Sequence, residues 1–240
     1  MIRKISLRRG ISVLASALVV GVLFTACKKD NDDLAPNPVA ALMAFNLVPD
    51  QQAVDIALSG NLIGNAPLAY TSYTGRYINV FPGNRIVESY SAAANKTLDS
   101  LAFTFEADKY YSLFVVGAND TYKNIIVEDN YDSLTASSGK AYIRYINAVA
   151  DASAATVTIR AEGSDVVNED AAFGEVSEFV AVTPGPLDIN LTNEGSVNAS
   201  RNITVEQHKA YTVLLAGIPN HADSAKAVQI RFVENGTITD

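Results

Sequence analysis

Few side chains in this sequence could do covalent chemistry. Cys27 is the only cysteine in 240 residues, and His208 and His221 are the only histidines. One thiol excludes a disulfide framework and any cysteine-based metal cluster. Nucleophilic catalysis needs a base held against a Ser or Cys. His208 instead falls in a tight turn between Glu206 and Lys209, and His221 in the loop after Gly217. No glycine-rich phosphate loop, HExxH or paired-cysteine spacing is present. The sequence therefore predicts a protein that is not an enzyme and has no cofactor.

Two groups of residues remain that could contact a ligand. Tyr70, Tyr73, Arg76 and Tyr77 form a candidate ligand or partner surface, with ring faces for sugars and an arginine for charge-complementary docking. The absence of Trp, the best stacking side chain, tells against a lectin, and β-propensity explains many of the tyrosines. Glu162, Asp165, Glu169 and Asp170 form a candidate calcium or partner surface, rich in oxygen ligands but without EF-hand spacing, so no metal is assigned. From Ala161 to Ser200 there are eight acids and no Lys or Arg, whereas Ile56 to Val87 has no acid and carries Arg76 and Arg85. This contrast reads either as drift on solvated faces or as complementary docking, between the two halves or head-to-tail between molecules.

The elements that must position these residues are strands, and they occur twice. Phe45-Asn46-Leu47-Val48-Pro49-Asp50 aligns with Ile146-Asn147-Ala148-Val149-Ala150-Asp151, and Val54 to Leu58 with Ala155 to Ile159. Pro82-Gly83 aligns with Pro184-Gly185, and Lys109 to Gly117 with Lys209 to Gly217; the offset stays between 100 and 102. Alternation at period two recurs about every dozen residues, as in Ile189 and Leu191 against Asp188 and Asn190, separated by Gly, Pro, Asn and Ser turns. Lys109 to Val116 and Lys209 to Ala216 are apolar on both faces, as central strands are. No sustained helical period follows residue 39. The expectation is an all-β chain of two tandem Ig-like β-sandwich domains, at 39–131 and 140–240, joined by a small polar linker at 132–139. Asn46 and Asn147 suit strand-end bonds to the turn backbone, Asp50 and Asp151 Asx-turn caps, and Tyr111 and Tyr211 tyrosine corners.

Ahead of the strands, Met1 to Gly10 is basic and Ile11 to Phe24 is apolar. Fourteen helical residues span about 21 Å, short of the roughly 30 Å hydrocarbon layer, which suits a signal peptide better than a membrane span. Leu23-Phe24-Thr25-Ala26 before Cys27 resembles the lipobox of bacterial lipoproteins, with Phe24 standing where that family usually has Leu. The resemblance implies cleavage between Ala26 and Cys27 and diacylglycerol on the Cys27 thiol. Removing Arg3, Lys4, Arg8 and Arg9 with the leader leaves 14 basic and 26 acidic residues, a charge of −12 that disfavours nucleic acid. Residues 27–38 read as an acidic tether. Within it Lys28, Lys29, Asp30, Asp32 and Asp33 resemble the export tag of surface lipoproteins in some Gram-negative bacteria, the other reading being a plain solvated tether.

The repeated Asn-aliphatic-Val-x-Asp segment and the late aromatic-then-Gly strand resemble the bacterial surface-domain family catalogued as domain of unknown function 4397. That resemblance implies an extracytoplasmic β domain and no particular activity. The whole predicts an outer-membrane lipoprotein, held in the membrane by its N-terminal lipid and surface exposed, with a binding or scaffolding role toward a protein or glycan. The alternatives are a structural or accessory subunit of an envelope assembly and, further out, a glycan-binding protein or hydrolase.

Overall fold

The structure, a computed structural model, describes residues 37–150, 154–193 and 195–239. Ala26, Cys27, the tag from Lys28 to Asp33 and Asp151 lie outside the described residues. Apart from two short 3-10 turns, every regular element is a strand. The first copy holds β1 (Ala40–Asn46), β2 (Ala53–Leu58), β3 (Asn61–Leu62), β4 (Leu68–Ala69), β5 (Ile78–Val80), β6 (Gly83–Ser91), β7 (Lys96–Phe105), β8 (Tyr110–Ala118) and β9 (Thr121–Glu128). The second holds β10 (Ala141–Val149), β11 (Ala155–Ala161), β12 (Ser164–Ala171), β13 (Val180–Val182), β14 (Gly185–Thr192), β15 (Asn198–Val205), β16 (Lys209–Gly217) and β17 (Gln229–Thr237).

Each copy is a two-sheet sandwich. The first pairs an inner sheet β5-β1-β8-β9 with an outer sheet β3-β2-β6-β7, β4 adding to β2; the second repeats this as β13-β10-β16-β17 over β12-β11-β14-β15. In both copies the first strand runs parallel to the penultimate one, Ala41 to Asn46 beside Tyr110 to Val115 and Tyr142 to Val149 beside Ala210 to Gly217. The hairpin that follows depends on glycine. Gly117 and Gly217 have φ of 123° and 125°, and a Cβ would stand 2.1 Å from the Thr121 carbonyl oxygen and 2.4 Å from that of Ala227.

Period two in the inner strands serves two cores. Leu42 and Ala44 of β1 and Leu113 and Val115 of β8 point into the first sandwich, with Val54, Ile56 and Phe105 opposite. Ile143 and Tyr145 of β10 and Val213 and Leu215 of β16 do the same in the second. The alternate residues Met43, Phe45, Phe114 and Val116 meet Ile146, Ala148, Leu214 and Ala216 in a third core between the copies. Strands that look central because both faces are apolar are therefore central twice over: flanked within their sheet, and covered by the other copy. Burying a side chain such as Phe45 or Phe114 contributes about 1.5–3 kcal/mol, so the copies hold each other as a core holds a domain.

The joint is correspondingly less loose than its composition predicts. Tyr131–Ser133 and Ala136–Ser138 form 3-10 turns. Leu134 and Ala136 pack with Tyr131 and Phe179 against Tyr142, Ala210 and Ile238. The Tyr142 hydroxyl donates to the Thr135 carbonyl oxygen at 3.0 Å and accepts from the Thr135 amide at 2.9 Å.

The duplicated signature residues do matching structural work. The Asn46 side chain donates to the Leu68 carbonyl at 2.9 Å and accepts from the Val48 amide at 3.0 Å; Asn147 does the same with Ala171 and Val149 at 2.9 and 3.1 Å. Tyr111 and Tyr211 hydroxyls accept from the Glu106 and Glu206 amides, each at 3.1 Å. Asp50 differs from its expected Asx-turn role. Its carboxylate reaches across to accept from the Asn119 amide at 2.7 Å and the Tyr122 hydroxyl at 3.0 Å, fastening the β8–β9 hairpin.

Candidate functional site

Strand register sets equivalent side chains of the two copies opposite each other. Met43 pairs in register with Ser112, and Arg144 with Thr212. Asp129 and Asn235 each follow the residue paired with a corner tyrosine, Glu128 with Tyr111 and Glu234 with Tyr211. These six residues form a buried polar cluster in the third core. Arg144 and Asp129, with side chains 2% and 0% exposed, meet at 2.5 Å between Nη1 and Oδ1. Arg144 also donates to Ser112 Oγ at 2.8 Å and Thr212 Oγ1 at 3.0 Å. Ser112 donates to Asp129 at 2.7 Å as Thr212 donates to Asn235 at 2.6 Å. In the place that mirrors the ion pair, the Asn235 amide lies 3.9 Å from the Met43 sulfur. Phe179 and Phe114 pack on the guanidinium at 4.4 and 5.8 Å from their ring centroids.

A buried carboxylate needs its acceptor positions filled, and Asp129 accepts a third hydrogen bond from the Tyr77 hydroxyl at 2.5 Å. Tyr77 Oη also lies 3.2 Å from Tyr131 Oη. Burial first, then the neighbouring Asp129 carboxylate and Tyr131, push the Tyr77 phenol well above its ordinary pKa, and burial raises that of Tyr131. Both therefore stay protonated at neutral pH. Above them opens a cleft of about 600 Å³ between the copies. Tyr77, Tyr110 and Tyr131 line one side, and Asn235, Thr237 and Ile238 another. The three rings meet edge to face at 5.1, 5.2 and 6.0 Å, with Tyr110 43% exposed. Aromatic surface beside amides, hydroxyls and the exposed Asp132 carboxylate suits a polar ligand with apolar faces. A second hollow of about 660 Å³ at the far end of copy two is lined by short side chains, including Thr156, Asp170, Thr192 and Ser196.

The sequence-predicted surfaces are distributed otherwise than their spacing implies. Tyr70, Tyr73 and Tyr77 do not form one exposed platform. Tyr73 stacks on Phe45 at 5.5 Å and packs into the third core. Tyr70 lies beside Gln229 and Arg231 of the other copy, where burial raises its pKa to about 12. Arg76 is exposed, its carbonyl accepting from Thr74. Of these four, only Tyr77 belongs to the cleft. Tyr110, Tyr131 and Asn235 escaped sequence reasoning because their meeting depends on how the copies dock.

The acidic group is spread along and beside β12. Asp165 accepts from Arg160 at 2.5 Å and Asn168 at 3.1 Å, Glu169 from Tyr145 at 2.8 Å, and Asp170 from Thr156 at 2.7 Å; Glu162 sits at a turn with φ of 52°. Asp165, Glu169 and Asp170 of β12 each have a separate partner. Among the described residues no three His, Cys, Asp or Glu converge on a point where a cation could sit. Docking between the copies likewise runs through the inner sheets and the Arg144–Asp129 pair, not through Arg76 and these acids. Both histidines shape turns: His208, with φ of 63°, donates its amide to Lys140, and the His221 ring accepts from the Asp223 amide at 3.0 Å.

Fold and site together define a class: paired β-sandwiches docked through their inner sheets over a buried ion pair. The chain belongs to the DUF4397 family, a domain of unknown function, whose sequence profile matches residues 40–158 and 141–235. Among curated proteins none matches. Solved structures with some likeness include the tip fimbrial protein Mfa3 of Porphyromonas gingivalis, at 8% identity and TM-score 0.29, covering 82% of this chain and 99% of that one. A candidate cell-adhesion protein of Bacteroides uniformis has 10% identity and TM-score 0.25, covering 84% and 99%. The family 26 carbohydrate-binding module of Eubacterium rectale Amy13K has 9% identity and TM-score 0.24, covering 80% and 96%. Scores this low attach no property of those proteins to this chain.

Proposed function

We propose that this protein is a non-catalytic binding or scaffolding lipoprotein of the bacterial outer membrane, displayed at the cell surface. Its ligand contact is the tyrosine-lined cleft between the sandwiches. The observation that carries this reading is that cleft: an open aromatic wall backed by a rigid, fully hydrogen-bonded polar cluster, which loses little entropy when a ligand settles on it. The described histidines, each bound into its own turn, support binding rather than acid–base chemistry. Cys27 at the end of the apolar run, with Lys28, Lys29, Asp30, Asp32 and Asp33 after it, supports lipid anchoring and export.

Two experiments test the parts separately. Metabolic palmitate should label the wild-type chain and not Cys27→Ser; an unlabelled wild type overturns the anchor. A glycan array probed with the purified protein should return a specific saccharide class whose signal falls with Tyr110→Ala. A blank array, with one stoichiometric membrane protein recovered by native pull-down, would overturn the ligand reading in favour of an accessory subunit.

A further inference from the structure

The described chain has five exposed large apolar side chains, and three of them lie in copy one near its β2–β3 turn: Leu62 at 61% on edge strand β3, Phe81 at 67% after edge strand β5, and Ile86 at 42% on β6. Leu62 and Phe81 share a shallow groove with Leu58, Ile63, Ile78 and Arg85. The fold does not require them. Register places Thr183 at the position of Phe81 in copy two, and Asp188 at that of Ile86, and the same sandwich forms there. Leu187, at the position of Arg85, is buried, so in copy one the apolar and polar roles at this edge are exchanged. The patch also lies in residues 56–87, the stretch without a single acid in a strongly acidic chain. Arg85 is held there by the Phe81 and Pro82 carbonyls, both at 3.3 Å.

Its position relates it to the N-terminus. The described chain enters copy one at Val39, whose carbonyl accepts from the Asp108 amide, and Ala40 pairs with Val80, the residue before Phe81. The β2–β3 turn closes at this same end, where the Ser59 amide donates to the Ile86 carbonyl. Residues 28–38 can extend at most about 40 Å, so a lipid on Cys27 confines this end of the sandwich to within that distance of the headgroups.

We infer that Phe81, Leu62 and Ile86, with Arg85 beside them, are a membrane-contact edge that seats copy one on the lipid surface to which the chain is tethered. The inference rests on the lipid-anchor reading above. Aromatic and aliphatic side chains enter the headgroup–acyl boundary, and arginine meets phosphates. Copy two, polar at the matching positions, stays in water.

The chain contains no tryptophan, so one introduced residue reports its own surroundings. Phe81→Trp and, as the reference, Phe173→Trp, after β12 at the opposite end of copy two, are made in the full-length lipidated protein and reconstituted into phosphatidylcholine vesicles. With brominated acyl chains, the tryptophan at 81 should be quenched at least about twofold more than that at 173 and be shielded from aqueous acrylamide. Adding Leu62→Glu and Ile86→Glu should abolish the difference. A residue 81 reporter open to acrylamide overturns the contact and leaves the anchor standing. One shielded from both quenchers means that a protein covers the patch, which also overturns it. A wild-type protein that fails to float with vesicles removes the anchor, and the contact with it.

Discussion

Met43, Ser112 and Asp129 in copy one occupy the positions of Arg144, Thr212 and Asn235 in copy two, and all six meet inside the molecule. Away from that cluster, by contrast, Ile86 on the outer sheet answers Asp188, and Phe81, just after β5, answers Thr183. The inner faces have kept a paired cluster across the copies but exchanged its charge and most of its hydrogen bonds, Arg144 donating three where Met43 accepts one. The outer faces have kept the backbone and exchanged everything else. A buried face is constrained by packing density and by the cost of an unpaired charge, so its changes must come in compensating pairs. An exposed face is bound by neither and can acquire a separate role.

The strongest way to break this comparison is to make the interface neutral on one side only. Arg144→Met copies the residue at the matching position, strands the Asp129 carboxylate, and should cost about 3–5 kcal/mol in urea unfolding. Adding Asp129→Asn, so that both mirror-related places hold a Met–Asn pair, should recover most of that loss. A double variant as unstable as the single one would mean that the ion pair is more than one of two interchangeable solutions.

Tyr77→Phe should cost about 2 kcal/mol by removing a hydrogen bond to a charged group. The same hydroxyl makes stability sensitive to alkali. Its pKa is raised in the fold, so above its ordinary value of 10.0 the unfolded chain ionises first, the folded chain holds more protons, and stability falls as pH rises. Melting temperature should therefore drop between about pH 9 and pH 11, and less steeply in Tyr77→Phe. Tyr70, Tyr131, Tyr145, Tyr122 and Tyr211, raised in the same direction chiefly by burial, add to that slope.

Smaller effects test the likeness of the copies. Tyr111→Phe and Tyr211→Phe each remove the same bond to a turn amide and should lose similar amounts, about 1 kcal/mol; a severalfold difference would show that the corners are not equivalent. Thr71 sits at φ of 63° where copy two has Gly174 at 84°. A β-branched residue there carries strain of about 1–2 kcal/mol, partly offset by the flexibility glycine adds to the unfolded chain, so Thr71→Gly should stabilise slightly. A lowered melting temperature would contradict that.

Period-two alternation and the 100-residue offset made the strands, the two sandwiches and the work of Asn46, Asn147, Tyr111 and Tyr211 legible in the sequence, because those contacts are local to each copy. The apolar second face of Lys109 to Val116 was visible too, but its partner was not: the alternation of a strand says that both sides are covered and never by what. For that reason the sequence points to Tyr77 without Tyr110, Tyr131 or Asn235, and to the acid-rich stretch rather than to Asp129 and Arg144 for the opposite charges that couple the copies. Burial selects which charged residues meet, and burial between copies has no linear signature.

The placement of β1 has a mechanical meaning. It is the strand nearest the N-terminus, yet it lies inside its sheet between β5 and β8. Tension applied from Val39 runs along that strand and strains its two flanking ladders in shear, all rungs together, rather than peeling them one at a time. A load entering there would meet its greatest resistance at the point of entry.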